Sequence, residues 1–145
     1  MDLEVFAREI SMSSKAIRIE LEVGFKSVVE DIEKTAKEEL GVYQPAFGPF
    51  DAWDTLADST MASRSSAGYS ENEPLLRSGE LRDSIQSEVV GLAAIVGTKS
   101  DIGLYQEVGT SNIPPRPFIG PAYVRKIDKL MDTVGSCMMK GFKAY

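Results

Sequence analysis

The sequence contains no histidine and a single cysteine, Cys137. Without an imidazole, the usual general base near neutral pH is missing, and so is the commonest zinc ligand. One cysteine cannot close an internal disulfide, which suits a reducing cytoplasm, and in its helical pattern Cys137 reads as a small, semi-buried side chain. No run approaches the roughly 20 consecutive apolar residues of a membrane span, and no basic stretch followed by an apolar core opens the chain. The expectation is a soluble, unsecreted protein without membrane contact. Basic residues are also in the minority: 16 against 22 acids leave a net charge of −6. Tight DNA binding needs cationic side chains to displace counterions, so this balance argues against it. An acidic chain suits the wall of a channel past which DNA slides, but solubility explains the same balance and is the preferred reading.

Catalytic signatures are missing as well. The acidic pairs Glu30/Asp31 and Glu71/Glu73 lie on polar stretches, with no spacing that would focus a metal. Gly97, Gly103 and Gly109 never precede a helix in the way a phosphate-cradling loop requires. A serine nucleophile would find only carboxylates or lysines as its base. The reading is therefore a non-enzyme with no catalytic residue, no cofactor and no metal.

What is present is enough for one domain: 145 residues, 43% of them hydrophobic, can build a two-layer core. Asp2 to Ile10 reads as a short helix with Leu3, Phe6 and Ile10 on one side, and Ser11, Ser13 and Ser14 interrupt it. From Lys15 to Leu40, Ile17, Leu21, Phe25, Val28, Ile32, Ala36 and Leu40 recur at three and four, the spacing of one helix face. Gly41 stands where a left-handed residue ends a helix. Gly24 in mid-helix implies close approach of a neighbouring element.

Residues 42–80 change character. Prolines, glycines and a Ser/Ala/Gly tract describe a long excursion, with one short helix expected over Asp51 to Ala62 and mobility expected over 62–73. Ile85 to Val89 alternates as a half-buried strand, and Gly91-Leu92 turns it into a hairpin with Ala93 to Thr98. Two strands cannot stand alone, so Phe118-Ile119 and part of 42–50 are candidates for further strands. After Gly120, Pro121 suits the first position of a helix that carries Val124, Ile127, Met131, Val134, Met138 and Phe142. The expected fold is α+β. A small antiparallel sheet packs on two long helices, N-terminal and C-terminal, with a long extended loop between the first helix and the sheet.

The most constrained stretch runs from Ala94 to Tyr123. It holds two Gly-Thr pairs, a short polar-capped turn with Tyr105 and Val108 as its apolar points, and Ile113-Pro114-Pro115-Arg116-Pro117-Phe118-Ile119. Prolines fix φ and remove amide donors, so this path is tightly dictated and reads as a formed surface rather than a hinge. The order VGT, YxxEVGT, IPPRPFIGPA resembles the neck and tail-completion proteins of tailed bacteriophages. Upstream, Trp53-Asp54-Thr55-Leu56 and the run from Leu76 through Arg77, Ser78, Gly79, Leu81 and Arg82 to Ile85 are similar to the same family's signature. The blocks agree in order and spacing over roughly residues 45 to 123; the flanking helices rest on periodicity alone.

The resemblance implies a structural virion subunit at the head–tail junction, assembled in the host cytoplasm. It would form a homo-oligomeric ring, sixfold or twelvefold, between a portal-side or head-completion connector and a tail terminator or tail tube protein. Genomic DNA would pass through without sequence-specific binding. Tail terminator rings are similar in size and build, and a tail terminator or a non-structural assembly factor of virion morphogenesis is the alternative. Trp53, Arg77, Arg82, Thr110, Ile113, Pro115, Arg116 and Phe118 are the candidates for contacts between subunits or rings. For several of them a local role competes. Trp53 anchors the excursion on the core or docks a partner. Arg77 and Arg82 flank a turn. Arg116 either reaches a carboxylate of a neighbouring copy or makes an internal pairing, for instance with Glu107, that ties the loop down.

Overall fold

A single apolar stripe organises the molecule. The computed structural model of the chain describes residues 2–143 and is α+β, dominated by helix. In order come α1 (Leu3–Glu39), α2 (Asp58–Ser66), α3 (Glu80–Ser84), β1 (Ile85–Val90), β2 (Ala93–Thr98), α4 (Asp101–Val108) and α5 (Ile119–Lys143). The stripe lies on α1, where Val28, Val29, Ile32 and Ala36 are buried. At about 1.5 Å per residue, 37 residues make a rod of roughly 55 Å. It ends at Gly41, whose φ of 94° and N–H bond to the Pro74 carbonyl turn the chain away.

The expected break at Ser11–Ser14 does not occur; α1 runs through it. Serine inside a helix costs only a few tenths of a kcal/mol relative to alanine, and no glycine or proline stands there to stop propagation. The stripe of Leu3, Phe6 and Ile10 thus continues in phase into Ile17 and Leu21.

Helix α5 runs antiparallel along α1. Lys126 and Lys129 both reach Asp31, at 3.1 and 2.7 Å, and hold its carboxyl below the usual range, the Lys129 bond foremost. Further along, Gly24 faces Thr133 and Cys137, and Gly141 faces Ile17. Both glycines mark close approach. A Cβ on Gly141 would press on Ile17 Cγ1 and sit 2.5 Å from the Ile17 Cα, so backbone would have to move. Gly141→Ala is expected to lower the unfolding free energy by about 2 kcal/mol, the scale of core overpacking, despite alanine's better helix propensity. Urea denaturation checks this. Cys137, 6% exposed, is buried at this interface rather than semi-buried.

The sheet has two strands only, paired antiparallel from Ile85↔Thr98 to Val90↔Ala93. Gly91, at φ 60°, makes their two-residue turn. The candidate extra strands are not strands. Phe118 and Ile119 lead into α5, while Phe47 and Phe50 bridge only to each other. Pro45, Pro49 and Pro117 lack the N–H groups that a ladder needs. The ribbon is held instead by α1: Ile85 is fully buried, and the Ser87 hydroxyl donates to Glu33 Oε2 at 2.5 Å. Two other boundaries shift. The excursion's helix lies at Asp58–Ser66, not 51–62, and α5 begins at Ile119, two residues before Pro121.

Near the C-terminal end of α1, Glu39 is buried. Arg125 Nε lies 3.2 Å from its Oε1 but out of hydrogen-bonding alignment, and neither carboxylate oxygen nor that Nε has a hydrogen-bond partner. Burial pushes the Glu39 carboxyl up to about 7; Arg125 opposes the rise and Glu107 adds to it. A folded pKa above the unfolded value of 4.5 gives stability that is fully present below 4.5 and lost as pH rises through 7. Asp31 and Glu33, whose pKa values are lowered, act below about 4.5, outside this window. The unfolding free energy is expected to fall by about 2 kcal/mol between pH 5 and pH 8, and Glu39→Gln to remove most of that dependence. Denaturant titrations at the two pH values read both.

Candidate functional site

The three motif blocks meet at one corner, where the excursion is laid across the α4–α5 connection. That connection comes first. Gly109, at φ 76°, leaves α4 where a Cβ would press within 3.0 Å of Pro115 and the Ile113 carbonyl. The Thr110 N–H donates to the Ile113 carbonyl at 2.8 Å, and its hydroxyl accepts the N–H groups of Asn112 and Ile113. A closed turn results, and Pro114, Pro115 and Pro117 stiffen the path from there to α5. Glu107 then reaches forward from the end of α4. Its carboxylate accepts the N–H groups of Phe118 at 2.8 Å, Ile119 at 3.1 Å and Gly120 at 2.9 Å. These are orphan donors at the start of α5, where the helix dipole also favours negative charge.

The excursion clamps onto this connection. Trp53 is 6% exposed and donates its indole N–H to the Pro117 carbonyl at 3.0 Å. Arg116 is 5% exposed: its Nε and Nη2 donate to the Asp54 carbonyl at 3.1 and 3.0 Å, and Nη2 also to the Thr55 carbonyl at 3.1 Å. The Arg116 N–H donates to the Gln106 carbonyl at 2.7 Å, tying the loop back to α4. Phe118 has no exposed surface and joins the core cluster with Ile85, Ala122 and Val28.

This geometry corrects the contact assignment of three candidates. Trp53, Arg116 and Phe118 are interior residues whose polar atoms are used within the chain, so they are not displayed to a neighbour. For Arg116 the internal tie holds, with other partners than Glu107: its guanidinium is turned inward onto the Asp54 and Thr55 backbone carbonyls. The other candidates stay at the surface. Arg77, Arg82, Thr110 and Pro115 are exposed or half-buried, as is Ile113. Arg82 Nε contacts Asp83 at 3.1 Å, and the Arg77 guanidinium lies 5.3 Å from the Tyr69 ring centre.

Between the excursion and the braced corner lies an open cleft of about 1090 Å³, walled by α2, the Ser78–Glu80 turn, α4 and the 112–114 loop. Arg64, Arg77 and Arg116 line it together with Asp54, Asp58 and Glu80. Arg64 donates to the Glu73 carbonyl at 2.6 Å; burial, then nearby Arg77, lower its pKa from the usual guanidinium value. A cleft of mixed sign suits a polar chain segment better than a small molecule. The described residues hold no group of three or more Cys, Asp or Glu side chains placed to bind a metal. No described helix is long and apolar enough to cross a membrane.

The apolar surface left outside the core is extensive. On the ribbon's outer face Val90 is 72% and Ile95 74% exposed, and both ribbon edges are unpaired among the described residues. Tyr105 and Val108, expected as apolar points of the α4 turn, are exposed too. Sequence reading missed Glu107 as a cap and Arg64 as a cleft residue. For Glu107 the signal was an acid placed shortly before a Pro-Phe-Ile-Gly-Pro helix start. Comparison with protein-family models, with curated proteins and with solved structures finds no match to this chain.

Proposed function

We propose that the protein is a ring-forming structural subunit of a tailed-phage virion, joining head to tail as a neck or tail-completion component. The observation that carries the reading is the unfinished ribbon. A two-stranded sheet is marginal by itself, and in this fold both edges are open and Val90 and Ile95 face outward. A neighbouring copy that adds to an edge or covers that face completes the sheet. The same contact repeated head to tail closes into a ring when the rotation per subunit allows it. The braced corner supports the reading from the other side, since it fixes the exposed Thr110–Pro115 loop as a rigid edge that costs little entropy to dock. The acidic balance suits a passage through which DNA slides without being held.

The test is joining in vitro. Heads and tails from particles lacking the protein are mixed with and without the purified chain, and joined virions are counted. Restored joining is expected. Full joining without the protein, or none after its addition, contradicts the proposal.

A further inference from the structure

The long helices carry two apolar surfaces that the fold leaves uncovered, and they differ in charge. On α5, Met131, Gly135, Met138, Met139 and Phe142 form a stripe on the side turned away from α1, as their 100° spacing about the helix dictates. The three methionines and Phe142 are 66, 42, 57 and 59% exposed, in the order of the chain. A shallow groove of about 540 Å³ opens at Gly135, where a Cβ would meet nothing within 4 Å. Lys140 and Lys143 line the same groove against one acid, Asp132, and make no ion pair among the described residues.

The second surface is the first three turns of α1. Leu3, Phe6 and Ile10 continue the stripe that α5 covers from Ile17 onward, yet they are 78, 49 and 54% exposed. Around them are Asp2, Glu4 and Glu9 against one cation, Arg8. Within one copy these turns cannot reach the groove: Gly141 lies alongside Ile17, and Phe6 is about 16 Å further along the rod at 1.5 Å per residue.

We propose that the first three turns of α1 of one copy seat on the Met131–Phe142 stripe of a second copy. Leu3, Phe6 and Ile10 pack among the methionines, and Glu4 and Glu9 face Lys140 and Lys143. Flexible methionine side chains adapt to such a ridge, and a small residue between them admits it. Charge selects this pairing: two α1 starts laid together would set acid against acid, whereas acid against lysine is complementary. The contact joins two different surfaces, so it propagates from copy to copy as a ring requires. It rests on the ring-forming reading and specifies one of its interfaces.

The test is a disulfide made between two single-cysteine proteins. Phe6→Cys and Met139→Cys are each built on Cys137→Ala, mixed in equal amounts, oxidised mildly and resolved on a non-reducing gel, with linked peptides identified by mass. The mixed dimer is expected in about tenfold excess over either homodimer. A statistical mixture of the three, a dominant homodimer or no cross-link overturns the proposal. Native mass spectrometry of the unmodified protein separates the two ideas: a closed oligomer without the mixed dimer overturns this contact alone, and a monomer at every concentration overturns the ring reading with it.

Discussion

Arg116→Ala is expected to lower the unfolding free energy by about 4 kcal/mol and to shift the denaturation midpoint accordingly. Hydrogen bonds from charged donors contribute roughly 1.5–3 kcal/mol each when buried, and three are lost together, although they are not additive. The Asp54 and Thr55 carbonyls are left without that donor, and the volume of a buried side chain is lost with it. Arg116→Lys keeps the charge but not the planar fork that spans two carbonyls, so it should recover no more than half the loss. Hydrogen exchange should rise first at Trp53, whose N–H bonds the Gln44 carbonyl in the stretch Arg116 pins down. An unchanged midpoint in Arg116→Ala would mean that the guanidinium does not brace this corner.

Glu107→Ala should cost about 3 kcal/mol for a related reason. A single carboxylate satisfies three successive N–H groups at the start of α5, more than the one donor that a capping side chain usually serves. Glu107→Gln retains an acceptor oxygen but loses the charge and one acceptor, and about half the effect is expected. The two variants are compared by urea denaturation and by exchange at the amides of Phe118, Ile119 and Gly120. Unaltered protection at those amides in Glu107→Ala would contradict the capping role.

The two long helices were legible because their pattern is local. Apolar residues at three and four mark a helix whatever lies opposite, and Gly41 announced the end of α1. In α5 the pattern located the helix but not its buried side: Met131, Met138 and Phe142 face outward, and the smaller Ala122, Cys137 and Gly141 pack inward. The Gly91-Leu92 hairpin was legible for the same reason. Chain breaks were less so: three serines near residue 12 looked like an interruption, but propensity alone does not stop a helix that has no proline or glycine. The corner's internal wiring lay further out of reach. That Arg116 bonds carbonyls 62 and 61 residues away depends on where the excursion is laid down, and carbonyls carry no sequence signal. A stiff loop with an arginine left a displayed anchor and an internal tie equally open, and the fold turned that side chain inward. Glu39 shows the same limit: it sits on the buried stripe of α1, where an acid is indistinguishable in sequence from one at a helix edge.

Trp53, Arg116 and Phe118 thus build the corner from inside, and the surfaces proposed for contact with other copies are the ribbon, the exposed Thr110–Pro115 loop at that corner and the outer faces of α1 and α5. An averaged electron-microscopy map of the head–tail junction of the virion tests this most directly. The expected result is a closed ring of identical copies of this chain around the DNA path, with the ribbon edge against a neighbour and Trp53, Arg116 and Phe118 inside each copy. A junction built without this chain, or one in which those three side chains cross between subunits, would contradict it.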